Sequence, residues 1–158
     1  MSHKRNMILW ILNKIINREK MRKLTNKDLV KLYYEELWNN KNKDYIDTLF
    51  DDNITFHGSL GISSSGKKEF EQYMDMIHSA IPALFHSIID IVVDEDNIAV
   101  RALYTGKHTG KLLSYEATNN KISYNGATFF KFNEGKIKSV WVLGDLNTLI
   151  KQLNNSSD

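Results

Sequence analysis

Asp145 is the residue best placed in this chain to move a proton. Read at the two-residue period of a strand, Ile137, Ser139, Trp141, Leu143 and Asp145 form one row, and the row ends in a carboxylate. A carboxylate at the rim of an apolar surface is desolvated, so its pKa rises and it suits proton abstraction near neutral pH. The position also suits an N-cap, because Leu146, Leu149, Ile150 and Leu153 follow at helical spacing. Where Asp145 points therefore separates two functions: an acid/base enzyme, or a pocket that binds without catalysis.

Two histidines are the other candidates for acid/base work. His57 shares a strand face with Thr55, opposite Ile54 and Phe56, where a lone imidazole also serves as a structural hydrogen-bonding group. His108 has the strand parity of Val100, Ala102 and Tyr104, which puts it at a pocket mouth or at a solvated strand end. Trp141 is expected as a pocket wall rather than a catalytic group, since indole offers only an N–H donor. Leu143, Tyr33, Phe56 and Tyr104 complete the expected substrate-binding lining. His78 and His86 have no evident partner, and Arg101 lies on the face opposite the pocket. The five histidines lack metal-ligand spacing and there is no cysteine, so no metal is expected. No phosphate-binding glycine loop and no nucleophile elbow is present.

These residues need elements to hold them. Thr25 and Asp28 have capping-box spacing and open a helix that runs to about 40. A short helix follows through Tyr45, Ile46, Leu49 and Phe50, then a strand at 54–57 and a flexible loop at 58–66. A third helix starts at Lys67, with Phe70, Met74, Ile77 and Ile81 inward, and ends at Pro82. Beyond Pro82 the apolar period changes from 3.6 to 2. Strands are expected at about 84–94, 97–109, 121–132 and 136–144, joined by hairpin turns and so antiparallel. The expected fold is α+β: a cone-shaped half-barrel of about three helices on a strongly curved antiparallel sheet, with an extra N-terminal helix. Such a cone leaves an apolar pocket at its open end, fit for a small apolar molecule.

Residues 25–153 resemble the SnoaL-like polyketide cyclases of the nuclear-transport-factor-2-like superfamily. The resemblance rests on Phe56-His57-Gly58, Ile81-Pro82, the run 96–101, the run 105–110, and the stretch 117–120. Its strongest part is Gly135-Lys136-Ile137 with Trp141, Asp145 and Gln152-Leu153. It implies a cofactor-free pocket in which an Asp at the position of Asp145 is acid/base for intramolecular aldol ring closure of a polyketide. A cyclase or keto-enol isomerase acting on a polyketide-like or other apolar carbonyl substrate is the expectation; the alternative is a ligand-binding or protein-interaction module of the same fold. These cyclases tend to carry a histidine on the strand before the last, where this chain has Lys131 among phenylalanines. The resemblance also implies a homodimer through the outer sheet face, where Leu103 and Phe129 would otherwise be exposed.

The 158 residues, 42% hydrophobic and 25% charged, suit one globular domain with a real core. The net charge of +2 hides a division: residues 1–24 carry about +6 and the remainder about −4. The acidic body argues against nucleic acid as a partner. In the leader, residues 1–24, the apolar run of 7–12 is too short to span a bilayer and lacks a signal-peptide cleavage site, so the chain is expected to be cytoplasmic. Ile8, Ile11, Leu12, Ile15 and Ile16 share a helical face, which suits either weak contact with a membrane surface or packing on the domain or a second subunit. Residues 154–158 read as a disordered tail.

Overall fold

In a computed structural model, six strands form one curved, unclosed sheet in the order β2-β1-β6-β5-β4-β3. The structure describes residues 24–155 and, ahead of them, helical positions 6, 7, 9–13, 15, 16 and 19. The expected tail lies mostly outside the described residues.

Helix α1 (Asn26–Leu32) begins at the expected capping box. The Thr25 hydroxyl accepts the Asp28 N–H at 3.2 Å, and the Asp28 carboxylate accepts the Thr25 N–H at 3.0 Å. The expected continuation to 40 is not α-helical. Tyr33–Asn39 is a π segment, closed by the Asn40 N–H donating to the Glu35 carbonyl at 2.9 Å. Its wider turn gathers Tyr33, Tyr34, Leu37 and Trp38 on a narrower core-facing arc than α turns would. Helix α2 (Tyr45–Leu49) leads directly into β1 (Phe50–His57), and β2 (Ser63–Ser65) is a short strand inside the expected loop.

Helix α3 (Gly66–Ala80) buries Phe70, Tyr73, Met74, Ile77 and Ala80 against the sheet. Strands β3 (Phe85–Asp94), β4 (Asn97–Lys107), β5 (Lys121–Asn133) and β6 (Lys136–Gly144) pair antiparallel in sequence, as the turns imply. The sheet is not wholly antiparallel, however, because β1 lies parallel to β6. Helix α4 (Leu146–Asn154) closes the fold, burying Leu149 and Leu153.

One irregularity re-aims the strand that carries the site candidates. Lys131 faces Ser139 and Phe132 faces Ile137, so Lys138 is an extra residue on β6. A bulge of this kind reverses the alternation beyond it. Ile137 points inward, and so do Val140 and Val142. Trp141 and Leu143, expected as pocket walls, are therefore turned to the outer face, 43% and 60% exposed.

Candidate functional site

The inner face of the sheet, α3 and the π segment line a cavity whose empty space, counting the part open to solvent, is about 370 Å³. Only about 30 Å³ of this can hold the centre of a water molecule, a small multiple of what one water needs. The resting cavity is thus narrow, with room for a group of a few heavy atoms.

Its wall is aromatic. Tyr33, Tyr34 and Trp38 come from the π segment, Phe56 from β1, Tyr73 from α3, and His86, Tyr104 and Tyr124 from β3, β4 and β5. The rings interlock edge to face: His86 and Tyr104 have centroids 4.6 Å apart, and Tyr104 and Tyr124 5.1 Å. Gly126 makes this packing possible, because a Cβ there would overlap the Tyr104 ring. The Tyr34 hydroxyl donates to Thr128 Oγ1 at 2.9 Å, and Ser59 Oγ lies 3.4 Å from the Tyr124 hydroxyl.

No lining residue is an Asp, Glu, Lys or Arg. Burial pushes the Tyr73 phenol up to about 12 and raises Tyr104 and Tyr124 as well, so all three stay protonated at neutral pH. Burial drives His86 the other way, down to about 3, with nearby His78 adding to the effect. The His86 imidazole is neutral, and its Nδ1 is buried without a hydrogen-bond partner. The Trp38 indole N–H stands near the Tyr33 hydroxyl but makes no well-formed hydrogen bond. His86 is itself held rigidly: its backbone N–H donates to Asn39 Oδ1 at 2.8 Å, and its carbonyl accepts from Asn39 Nδ2 at 3.0 Å. The last residue of the π segment thus satisfies the outer edge of β3 where it meets the cavity.

Of the residues singled out from sequence, Tyr33, Phe56 and Tyr104 meet in this cavity. Asp145 is outside its lining. Its carboxylate caps α4, accepting the Thr148 N–H at 3.1 Å, and is exposed. The Thr148 side chain and backbone hold its pKa below the usual carboxylate value, the reverse of the raised value expected. His57 lies on the outer face, Nδ1 2.8 Å from Ser63 Oγ, its ring parallel to Trp141.

His108 falls just beyond β4 and is fully buried, but it packs into the loop before β5 instead of lining the cavity. Its Nδ1 accepts the Thr118 N–H at 3.3 Å and lies 2.9 Å from Thr118 Oγ1, which assigns the proton to Nε2. Burial lowers its pKa, opposed by the Gly110 backbone. Among the described residues no cluster of His, Asp or Glu could hold a metal ion.

Sequence reasoning missed His86, Trp38, Tyr34, Tyr73, Tyr124 and Thr128. A signal for two of them was present, since Tyr124 and Thr128 share the inward parity of Ile122 and Phe130 along β5. His86 needed the hairpin register that places it opposite Tyr104.

The family model of the SnoaL-like polyketide cyclases matches residues 28–153. No curated protein matches the chain in sequence. Among solved structures, a SnoaL-like polyketide cyclase from Agrobacterium tumefaciens strain C58 superposes with a TM-score of 0.71 at 21% identity, covering 83% of this chain and 99% of its own. A protein assigned to the same cyclases from Jannaschia sp. CCS1 gives 0.76 at 17% identity, covering 84% and 92%. A protein of ketosteroid isomerase-like fold from Catenulispora acidiphila DSM 44928, solved with trimethylamine, gives 0.69 at 18%, covering 81% and 93%. At such identities the structures establish a shared fold, and the match of the family model over most of the length establishes membership: this chain belongs to the SnoaL-like polyketide cyclase family.

Proposed function

We propose that this chain binds a small, largely apolar molecule in its aromatic cavity through one polar group, without Asp145 acting as a base. The observation that carries this reading is the neutral, unpartnered Nδ1 of His86 in a cavity lined by no ionised side chain. A buried polar atom without a partner costs stability, and a ligand that satisfies it recovers that cost on binding. Nδ1 would accept from a ligand hydroxyl or N–H in one tautomer and donate to a ligand oxygen in the other, while the walls strip water from the ligand's apolar part. A general base works best with a pKa near the operating pH, and His86, at about 3, is far below it. The cyclase reading needs a carboxylate inside the cavity, and Asp145 is committed to its helix outside.

A second reading has its own observation. A cavity sized for a few heavy atoms and walled by Tyr, Trp and Phe suits a small organic ammonium ion held against ring faces. The neighbour solved with trimethylamine offers a ligand of this size as a probe.

Titration of the protein with phenol, cyclohexanone and trimethylammonium, followed by shifts in the aromatic NMR spectrum, tests both. Saturable binding of phenol that weakens about tenfold in His86→Phe supports the first reading. Preference for trimethylammonium, undiminished in His86→Phe, supports the second. Saturation by none of the three, or strong turnover of an aldol substrate lost in Asp145→Asn, would overturn the binding reading.

A further inference from the structure

The described helical positions between 6 and 19 lie outside the matched family region and carry a run of exposed apolar side chains. Met7, Leu9, Trp10, Ile11, Leu12, Ile15 and Ile16 are between 42% and 59% exposed. Single exposed apolar residues are ordinary; seven along one short helical stretch are not.

Charge identifies the occupant. Residues 1–24 carry seven Lys and Arg against one Glu, whereas the rest of the chain is net acidic by about four. A second copy of this segment would bring two strongly cationic segments together, and like charges oppose that pairing. An anionic lipid surface satisfies both properties at once: the apolar side chains enter the acyl boundary while lysines and arginines meet phosphate headgroups. No described helix is long and apolar enough to cross a membrane, so the contact would be parallel to the surface. The acidic body would be repelled by the same lipids, which would hold the cavity domain away from the bilayer.

We infer that the segment around residues 6–19 is an amphipathic helix that binds anionic membrane surfaces and tethers the cavity domain to them. The inference is independent of what the cavity binds.

Flotation of the full chain with vesicles tests it, using phosphatidylcholine alone and phosphatidylcholine with ~30 mol % phosphatidylglycerol. The expected result is at least roughly tenfold greater partitioning onto the anionic vesicles, falling steeply between ~50 and ~500 mM NaCl. The double variant Ile11→Asp/Ile15→Asp should abolish partitioning while leaving the melting temperature of the body unchanged. Equal partitioning on both vesicles, none on either, or partitioning that survives the double variant would overturn the inference. So would self-association without vesicles that this double variant removes, since that would make a second copy the partner of the helix.

Discussion

The His57 imidazole lies parallel to the Trp141 indole on the outer sheet face, ring centroids 5.8 Å apart and planes 12° from each other. Trp141 in turn faces Phe129 across the β5–β6 pair, at 6.0 Å. The registers continue the row through Ala99 to Val92, so one band runs over five strands. Phe129 and Val92 are 52% and 66% exposed. We propose that a second copy covers this band in a homodimer. Phe129→Glu should convert a dimer to a monomer in sedimentation velocity while the far-ultraviolet spectrum stays unchanged, because the side chain contributes little to the core. A wild-type monomer at micromolar concentration would count against the dimer.

Asp145 should behave as a cap. Asp145→Ala should lower the melting temperature by roughly 2–4 °C, and Asp145→Asn by less, since Asn also caps well. Neither should change the affinity of a cavity ligand. Its lowered pKa makes the ionised cap a contribution that is present above the unfolded-state value of 3.8 and fades as pH falls through the lower folded value. Thermal melts and ligand titration on the same two variants check both statements.

Acid should destabilise the protein earlier than its carboxylates alone would cause. His86 has a folded pKa of about 3 against 6.5 when unfolded, so the unfolded state binds the extra proton between these values. Stability should therefore fall as pH drops from ~6.5 toward ~3, by a few kcal/mol from this residue, with His78 and His108 acting in the same direction. Urea unfolding at several pH values should show a shallower decline in His86→Phe. An unchanged slope would mean that His86 is not the titrating group.

Gly126 should be intolerant of a side chain. A Cβ there would overlap the Tyr104 ring, which is packed between His86 and Tyr124 and has little room to retreat. Gly126→Ala should cost about 1–3 kcal/mol in chemical unfolding, the usual scale for overpacking a core. It should also weaken any cavity ligand by displacing Tyr104. The exposed Gly61, whose neighbourhood is open, makes a control for the overlap but not for its positive φ of 77°.

Local chemistry was legible in the sequence, and long-range geometry was not. Thr25 with Asp28, the turns at 94–97 and 133–135, and the capping side of Asp145 could be read because each depends on neighbours within a few residues. Trp141 and Leu143 were placed on the wrong face because strict alternation was carried through Lys138, and no residue type there announces a bulge. The parallel pairing of β1 with β6 joins segments about eighty residues apart, beyond the reach of any turn signal. Phe56 and Tyr104 were found because strand parity is regular at their positions, and Tyr33 because it follows Leu29 at helical spacing. His86 could not be, because its significance lies in what surrounds it: Asn39 on its backbone, Tyr34, Trp38 and Tyr104 around its ring.

The π segment gives the cavity an unusual kind of heritable control. A π turn holds about one residue more than an α turn. Relaxation of the same seven residues into α turns would rotate Trp38 by about 100° relative to Tyr33 and carry it out of its place. The amide of Asn39 would leave the edge of β3 at the same step, freeing the His86 backbone. The shape of this cavity thus depends on the turn type of one seven-residue segment as well as on its side chains, and a change that favours α turns there would reshape it without exchanging any lining residue.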